Sequence, residues 1–163
     1  DRAIRIARAA GLPLRIAAKV DKVDEAYFAD EIRPMLGRDT DFIGEIDERA
    51  KSAFLSGARA LLMPIDWPEP FGLVIIEAMA CGTPVIAFDH GSVPEVIEHG
   101  LTGFVVADEA QAAAAVGRTD RLSRKAIRQE FERRFTARRM AEDYVAVFQS
   151  LAGREVERLK LVG

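Results

Sequence analysis

The chain has 163 residues, a formal net charge of −3, 49% hydrophobic and 30% charged side chains, and one cysteine. This composition excludes a disordered, collagenous or low-complexity chain, and the length fits one domain burying roughly 70% of its unfolded surface. A lone cysteine excludes an internal disulfide and a thiolate zinc site, and the longest apolar stretch is broken by Glu77 and by Gly82-Thr83-Pro84, so it is no membrane span.

In chain order, residues 1–10 predict a helix with Ile4 and Ala7 inward, stopped by Gly11. A strand over 14–18 follows the turn Gly11-Leu12-Pro13. Residues 24–36 predict a helix with Ala26, Tyr27, Ile32 and Leu36 inward, its last turn disturbed by Pro34. A second strand at 41–43 ends at Gly44, and a helix over 47–56 ends at Gly57. The nearly all-apolar run 59–65 suits a parallel strand covered on both faces. Two prolines make Asp66-Trp67-Pro68-Glu69-Pro70 a loop. A helix over 71–81 stops at Gly82, and Val85-Ile86-Ala87-Phe88 is another buried strand. Ser92-Val93-Pro94-Glu95 has the Ser-x-x-Glu spacing of a capping box, over a short helix reaching Gly100. Gly103-Phe104-Val105-Val106 is the fifth strand, and helices over 108–116, 122–135 and 136–160 complete the chain. Short apolar strands alternating with helices predict an α/β fold, a Rossmann-like doubly wound parallel sheet with C-terminal helices, in a single domain spanning 1–163.

Charge is unevenly distributed. Residues 1–117 hold 11 Lys/Arg and 19 Asp/Glu, while residues 118–139 hold nine Lys/Arg and three Asp/Glu. The basic block has no interleaved aromatics on one face, so nucleic acid is not expected, and the block reads first as a solvated helix face. Contact with a membrane surface stays open. No charged region followed by an apolar run opens the sequence, so the expected location is the cytoplasm.

Ligands of open α/β sheets bind outside the carboxyl ends of the strands. The loops there are Gly44-Glu45-Ile46-Asp47, the segment 66–71, and Asp89-His90-Gly91-Ser92. The helix after the middle loop is hydrophobic nearly all round and carries one charge, Glu77. Gly72 in its first turn costs about 1 kcal/mol against alanine, and a bare backbone there opens the helix-terminal amides to an anion. Glu69 stands just before that positive end. Two carboxylates flanking an anion seat suit a molecule with hydroxyls on both sides of its phosphates. A nucleotide sugar has that layout: ribose diol at Glu77, diphosphate on the amides, sugar diol at Glu69.

The segment Glu69-Pro70-Phe71-Gly72-Leu73-Val74-Ile75-Ile76-Glu77-Ala78-Met79-Ala80-Cys81-Gly82-Thr83-Pro84-Val85 resembles the Glu-x7-Glu motif of retaining glycosyltransferase family 4. Gly91-Ser92-Val93-Pro94-Glu95 and Gly100-Leu101-Thr102-Gly103-Phe104 resemble the stretches that follow it, and the likeness covers almost the whole chain. The resemblance implies one half of a two-domain GT-B enzyme that transfers a sugar with retained configuration and needs no metal or other cofactor. It places Glu69 on hydroxyls of the donor sugar, Phe71, Gly72 and Leu73 at the donor, and Glu77 on the ribose. Lys51 falls near the phosphates, in a catalytic role beside Glu69. Gly44 and Ile46 would line the base pocket. From its own position, His90 lies in a loop at the expected ligand edge, where a contact to phosphate or acceptor is open. The partners implied are a UDP-, GDP- or ADP-sugar and an acceptor domain of the same polypeptide.

The chain also departs from that pattern. The strand and Gly-Arg…Glu-Lys-Gly segment that open the family's donor half are not in it, nor is the acceptor half, so the expectation is a domain truncated at its N-terminus and inactive alone. Ser92 stands where a glycine is common. Simpler roles compete at each position: an arginine partner for Glu77, close helix–strand packing for Gly72, and solvated side chains for Lys51, Glu69 and His90. Stacking on a sugar or base is open to Trp67, with packing the simpler role, and Cys81 reads as a small buried side chain. A binding module without catalysis, or an interaction domain that has lost its ligand, is the competing function.

Overall fold

Several helices begin where the sequence places a capping side chain. Asp1 accepts from the Arg2 amide, Asp47 from Ala50, Asp108 from Gln111 and Ser123 from Ala126. Each side chain satisfies an amide that lacks an intrahelical partner. The computed structural model describes the backbone of residues 1–160 and side chains through residue 152. Its helices are α1 (Arg2–Ala9), α2 (Glu25–Tyr27), α3 (Glu48–Gly57), α4 (Leu73–Ala80), α5 (Val93–Val96), α6 (Glu109–Val116), α7 (Arg124–Arg134) and α8 (Ala137–Lys160). Thr136 caps α8 through its hydroxyl, which accepts from the Arg139 amide at 3.2 Å. Residues 161–163 of the expected tail lie outside the described residues.

The five strands are all parallel to their neighbours and fall into two sheets. β1 (Leu14–Ala17) pairs with β2 (Thr40–Gly44), with Ile16 opposite Phe42 and a register shift that brings Ala17 opposite Gly44. β3 (Leu61–Met63), β4 (Val85–Phe88) and β5 (Gly103–Val106) form the second sheet in that order. The α/β class is as expected. A cavity of about 800 Å³, lined by β1 residues Leu14 and Ile16 and by Leu61 and Leu62 of β3, separates the two sheets.

Strand β4 organises the core. All four of its residues are buried, and side chains alternate between two faces. Val85 and Ala87 meet Ile75, Met79, Val93 and Ile127 on one side. Ile86 and Phe88 meet Ile6, Phe104, Ala112 and Ala115 on the other.

Several expectations are corrected. The helix predicted over 24–36 is a chain of irregular turns. It runs as 3₁₀ over Lys22–Asp24, one α turn, a π segment Phe28–Ile32 and 3₁₀ again over Arg33–Met35. Pro34 supplies the reason, since it has no amide to donate and its ring blocks the preceding turn. Ala26 and Tyr27 are exposed rather than inward, and Phe28 packs on Phe42 instead, with ring centroids 4.7 Å apart. The strand expected over 59–65 is only Leu61–Met63.

The capping box at Ser92 does not form. Ser92 has helical dihedrals (φ −77°, ψ −8°), whereas a capping residue needs extended ones. Its hydroxyl is buried without a partner among the described residues, and α5 stops at Val96, short of Gly100.

The basic block is not simply a solvated face. Arg124 donates to the carbonyls of Ser56 (2.7 Å) and Ala58 (2.9 Å) at the end of α3 and to the Thr83 hydroxyl (2.8 Å). Arg128 donates to the Ala80 carbonyl at the end of α4, and Arg134 to carbonyls of Glu95 and Val96 at the end of α5. Cations placed there satisfy orphan carbonyls at the negative ends of helices.

Candidate functional site

The residues after β3 build the site. Pro64, Pro68 and Pro70 restrict the loop, and Gly72 turns it into α4 with φ +77° and ψ +65°, a left-handed conformation that costs a side-chain-bearing residue roughly 1–2 kcal/mol. Gly72 is therefore the cap of α4, not part of its first turn, and the helix is Leu73–Ala80 rather than 71–81. A Cβ at Gly72 would also lie 2.8 Å from the Ile75 side chain. Ile75, Ala78 and Met79 of α4 are buried, Val74 and Ile76 pack partly buried on the same core, and Leu73 at its tip is 66% exposed.

Glu69 folds back over this tip. Its Oε1 accepts from the Gly72 amide at 3.1 Å and its Oε2 from the Trp67 indole N–H at 3.2 Å. The amides of Leu73 and Val74 have no protein acceptor among the described residues. They point along the positive end of the helix axis. The loop after β4 holds Glu69 from behind. The Ser92 amide donates to the Glu69 carbonyl at 2.9 Å, and a Cβ on Gly91 (φ +56°) would lie 2.4 Å from the Glu69 backbone.

Glu77 lies four residues beyond Leu73, about 6 Å of helical rise. Its Oε1 accepts from Lys51 Nζ at 2.9 Å, so its partner is a lysine of α3 rather than an arginine. Lys51 also donates to Glu48 at 2.8 Å, one turn earlier on α3. The two carboxylates raise the Lys51 pKa, Glu48 contributing most, so the ammonium persists to higher pH than usual. Glu77 keeps about a third of its side chain open.

The predicted residues divide between two places. Ile46, Lys51 and Glu77 line the large cavity between the sheets, together with Glu45. Glu69 and Phe71 line a smaller cavity of about 440 Å³ with Gly91, Ser92 and Arg134. Gly72 and Leu73 join the two along α4. Gly44, in a left-handed turn (φ +74°) at the end of β2, lines neither cavity, and neither does the exposed His90. Near His90, Arg2 pairs with Asp66 at 2.6 Å and holds that carboxyl below its usual range. Sequence reasoning missed one participant: Glu48, which was legible from its i, i+3 spacing to Lys51. Trp67, expected first to pack, is instead 55% exposed and bonded to Glu69.

A parallel α/β body followed by a long C-terminal helix is the architecture of one half of a GT-B glycosyltransferase fold. Residues 24–139 match the family described as glycosyl transferases group 1, and the chain belongs to that family. It is 35% identical to glycogen synthase of Mycobacterium tuberculosis over 149 residues, covering 83% of this chain and 35% of that protein. Sucrose-phosphate synthase from Thermosynechococcus elongatus superposes with a TM-score of 0.77 at 27% identity, covering 94% of this chain and 43% of that one. Anabaena HepE, solved in complex with UDP-glucose, gives a TM-score of 0.68 at 21% identity, over 91% and 44% of the two chains. The chain thus spans about a third of that glycogen synthase and under half of the two solved structures. Among the described residues, no helix is long and apolar enough to cross a membrane.

Proposed function

We propose that the chain is the donor-binding half of a retaining glycosyltransferase, which moves a hexose-type sugar from a nucleotide diphosphate sugar to an acceptor hydroxyl. One observation carries this reading: α4 begins with free amides at Leu73 and Val74 and has a carboxylate on either side, Glu69 over the tip and Glu77 one turn along. A carboxylate beside phosphate repels it unless hydroxyl groups intervene, and a nucleotide sugar supplies hydroxyls at both ends. Glu77 accepts from the ribose, the amides take the diphosphate, and Glu69 accepts from the sugar. Gly44 and Ile46 border the base, and His90 is assigned to the same edge.

Lys51 has a defined part in this scheme. Ribose hydroxyls that donate to Glu77 take over part of its charge, leaving the ammonium free to face the departing diphosphate. The bond from the anomeric carbon to the diphosphate breaks as the acceptor oxygen attaches on the same face, and the acceptor's proton passes to a leaving diphosphate oxygen. Charge growing on the leaving oxygens is met by the helix amides and Lys51, without a metal.

The acceptor site is assigned to another part of a longer polypeptide. Two surfaces support this. The first is an exposed apolar stripe on α8, formed by Met140, Tyr144, Val147, Phe148 and Leu151 at helical spacing. The second is the cavity between β1 and β3, whose facing edges can take one further strand.

Calorimetry with UDP, GDP, ADP and their glucose conjugates tests the reading. One nucleotide series is expected to bind the wild type, and Glu77→Ala to weaken it roughly 10- to 100-fold, the equivalent of losing hydrogen bonds to a charged group. Glu69→Ala is expected to spare the free nucleotide. Absence of binding by any nucleotide overturns the proposal.

A further inference from the structure

We infer that Trp67 is a positioning residue for the sugar end of the site: its indole N–H aims the Glu69 carboxylate, and its ring walls the sugar subsite. This deepens the proposed function and rests on it. Three observations carry the inference.

First, Trp67 is 55% exposed, and its ring stacks on no other aromatic ring or cation among the described residues. Second, the loop holds it in place. Pro68 follows it, and Asp66 before it is tied to Arg2. Third, its one polar atom is spent on Glu69, at 3.2 Å, while the Gly72 amide holds the other carboxylate oxygen.

The chemistry of that choice is specific. A carboxylate has about four acceptor positions, and these two donors use two of them. The Glu69 backbone is itself pinned by Ser92 and Gly91, so the remaining lone pairs have a fixed direction. Indole is a neutral donor with no acceptor capacity. It orients the carboxylate without neutralising it, whereas an arginine or lysine at 67 would form an ion pair and compete with sugar hydroxyls. The exposed ring adds an apolar face of the kind that lies against the C–H side of a pyranose.

Two measurements on the full chain test this. In the first, binding of UDP, GDP and ADP and of their glucose conjugates is compared by calorimetry for wild type, Trp67→Phe and Trp67→Ala. Trp67→Phe keeps a ring and removes the N–H. It is expected to weaken the nucleotide sugar about tenfold and to leave the free nucleotide unchanged, and Trp67→Ala to weaken the sugar conjugate further. In the second, the Trp67 indole resonance is followed by ¹H–¹⁵N NMR without ligand, identified by its disappearance in Trp67→Phe. It is expected to shift in Glu69→Gln and to stay in place in Glu77→Gln.

Equal weakening of nucleotide and nucleotide sugar, or no change in either, overturns the inference alone. So does an indole resonance indifferent to Glu69→Gln. Failure of the wild type to bind any nucleotide overturns the donor-site reading, and the inference falls with it.

Discussion

The two sheets are built to different standards. In β3–β4–β5 the central strand is buried along its whole length, with apolar helices on both faces. In β1–β2 only Thr40 is fully buried, and the helical turns beside it are irregular and largely exposed. The candidate site uses both. The end proposed for sugar and diphosphate, Glu69 through Val74, follows the three-stranded sheet, while Gly44 and Ile46 follow the two-stranded one. The groups nearest the proposed bond-breaking are thus held by the better-packed layer, and the groups nearest the base by the thinner one.

Core truncation gives the largest expected effect and tests the contrast directly. Met79 is fully buried on the inner face of α4, and Met79→Ala is expected to cost about 2–5 kcal/mol in denaturant unfolding. Ile16→Ala in half-exposed β1 is expected to cost well under half of that. Equal losses would break the comparison.

A smaller effect sharpens it. Gly72→Ala forces a Cβ into a left-handed conformation against Ile75, for about 1–2 kcal/mol of stability. It should also weaken nucleotide binding, because the free amides follow directly.

The smallest effect is a pH dependence. Glu130 is buried on α7, and the hydrogen bond from Arg133 lowers its pKa. A carboxylate with a depressed folded-state pKa contributes stability that is complete above its unfolded value and is lost as pH falls through the folded one. Thermal melts of wild type are expected to fall more steeply than those of Glu130→Gln below the ordinary carboxylate range, and to run parallel with them near neutrality.

Much of this was legible in the sequence for identifiable reasons. β4 and β5 carry apolar runs between glycine and proline punctuation, and both occur where that pattern puts them. Glu69 and Glu77 stood out because charge is rare in an apolar stretch. What was hidden depended on partners distant in sequence. The arginines of α7 read as solvent-facing because the carbonyls they serve lie about 40 to 70 residues earlier. Ser92 matched a local capping pattern, but its backbone is fixed by the contact of its own loop with Glu69. The segment before β2 lost its helical regularity to a single proline, whose effect reached further back than the final turn.

The arginine clasp on α3 and α4 has a consequence for biosynthesis. Both helices, and with them Lys51 and Glu77, leave the ribosome well before Arg124 and Arg128 do, and until then the carbonyls of Ser56, Ala58 and Ala80 lack the arginines that serve them. Vectorial synthesis therefore delivers Lys51 and Glu77 first and the arginines that fasten the ends of their helices last, so the clasp on α3 and α4 closes only when α7 has emerged and docked.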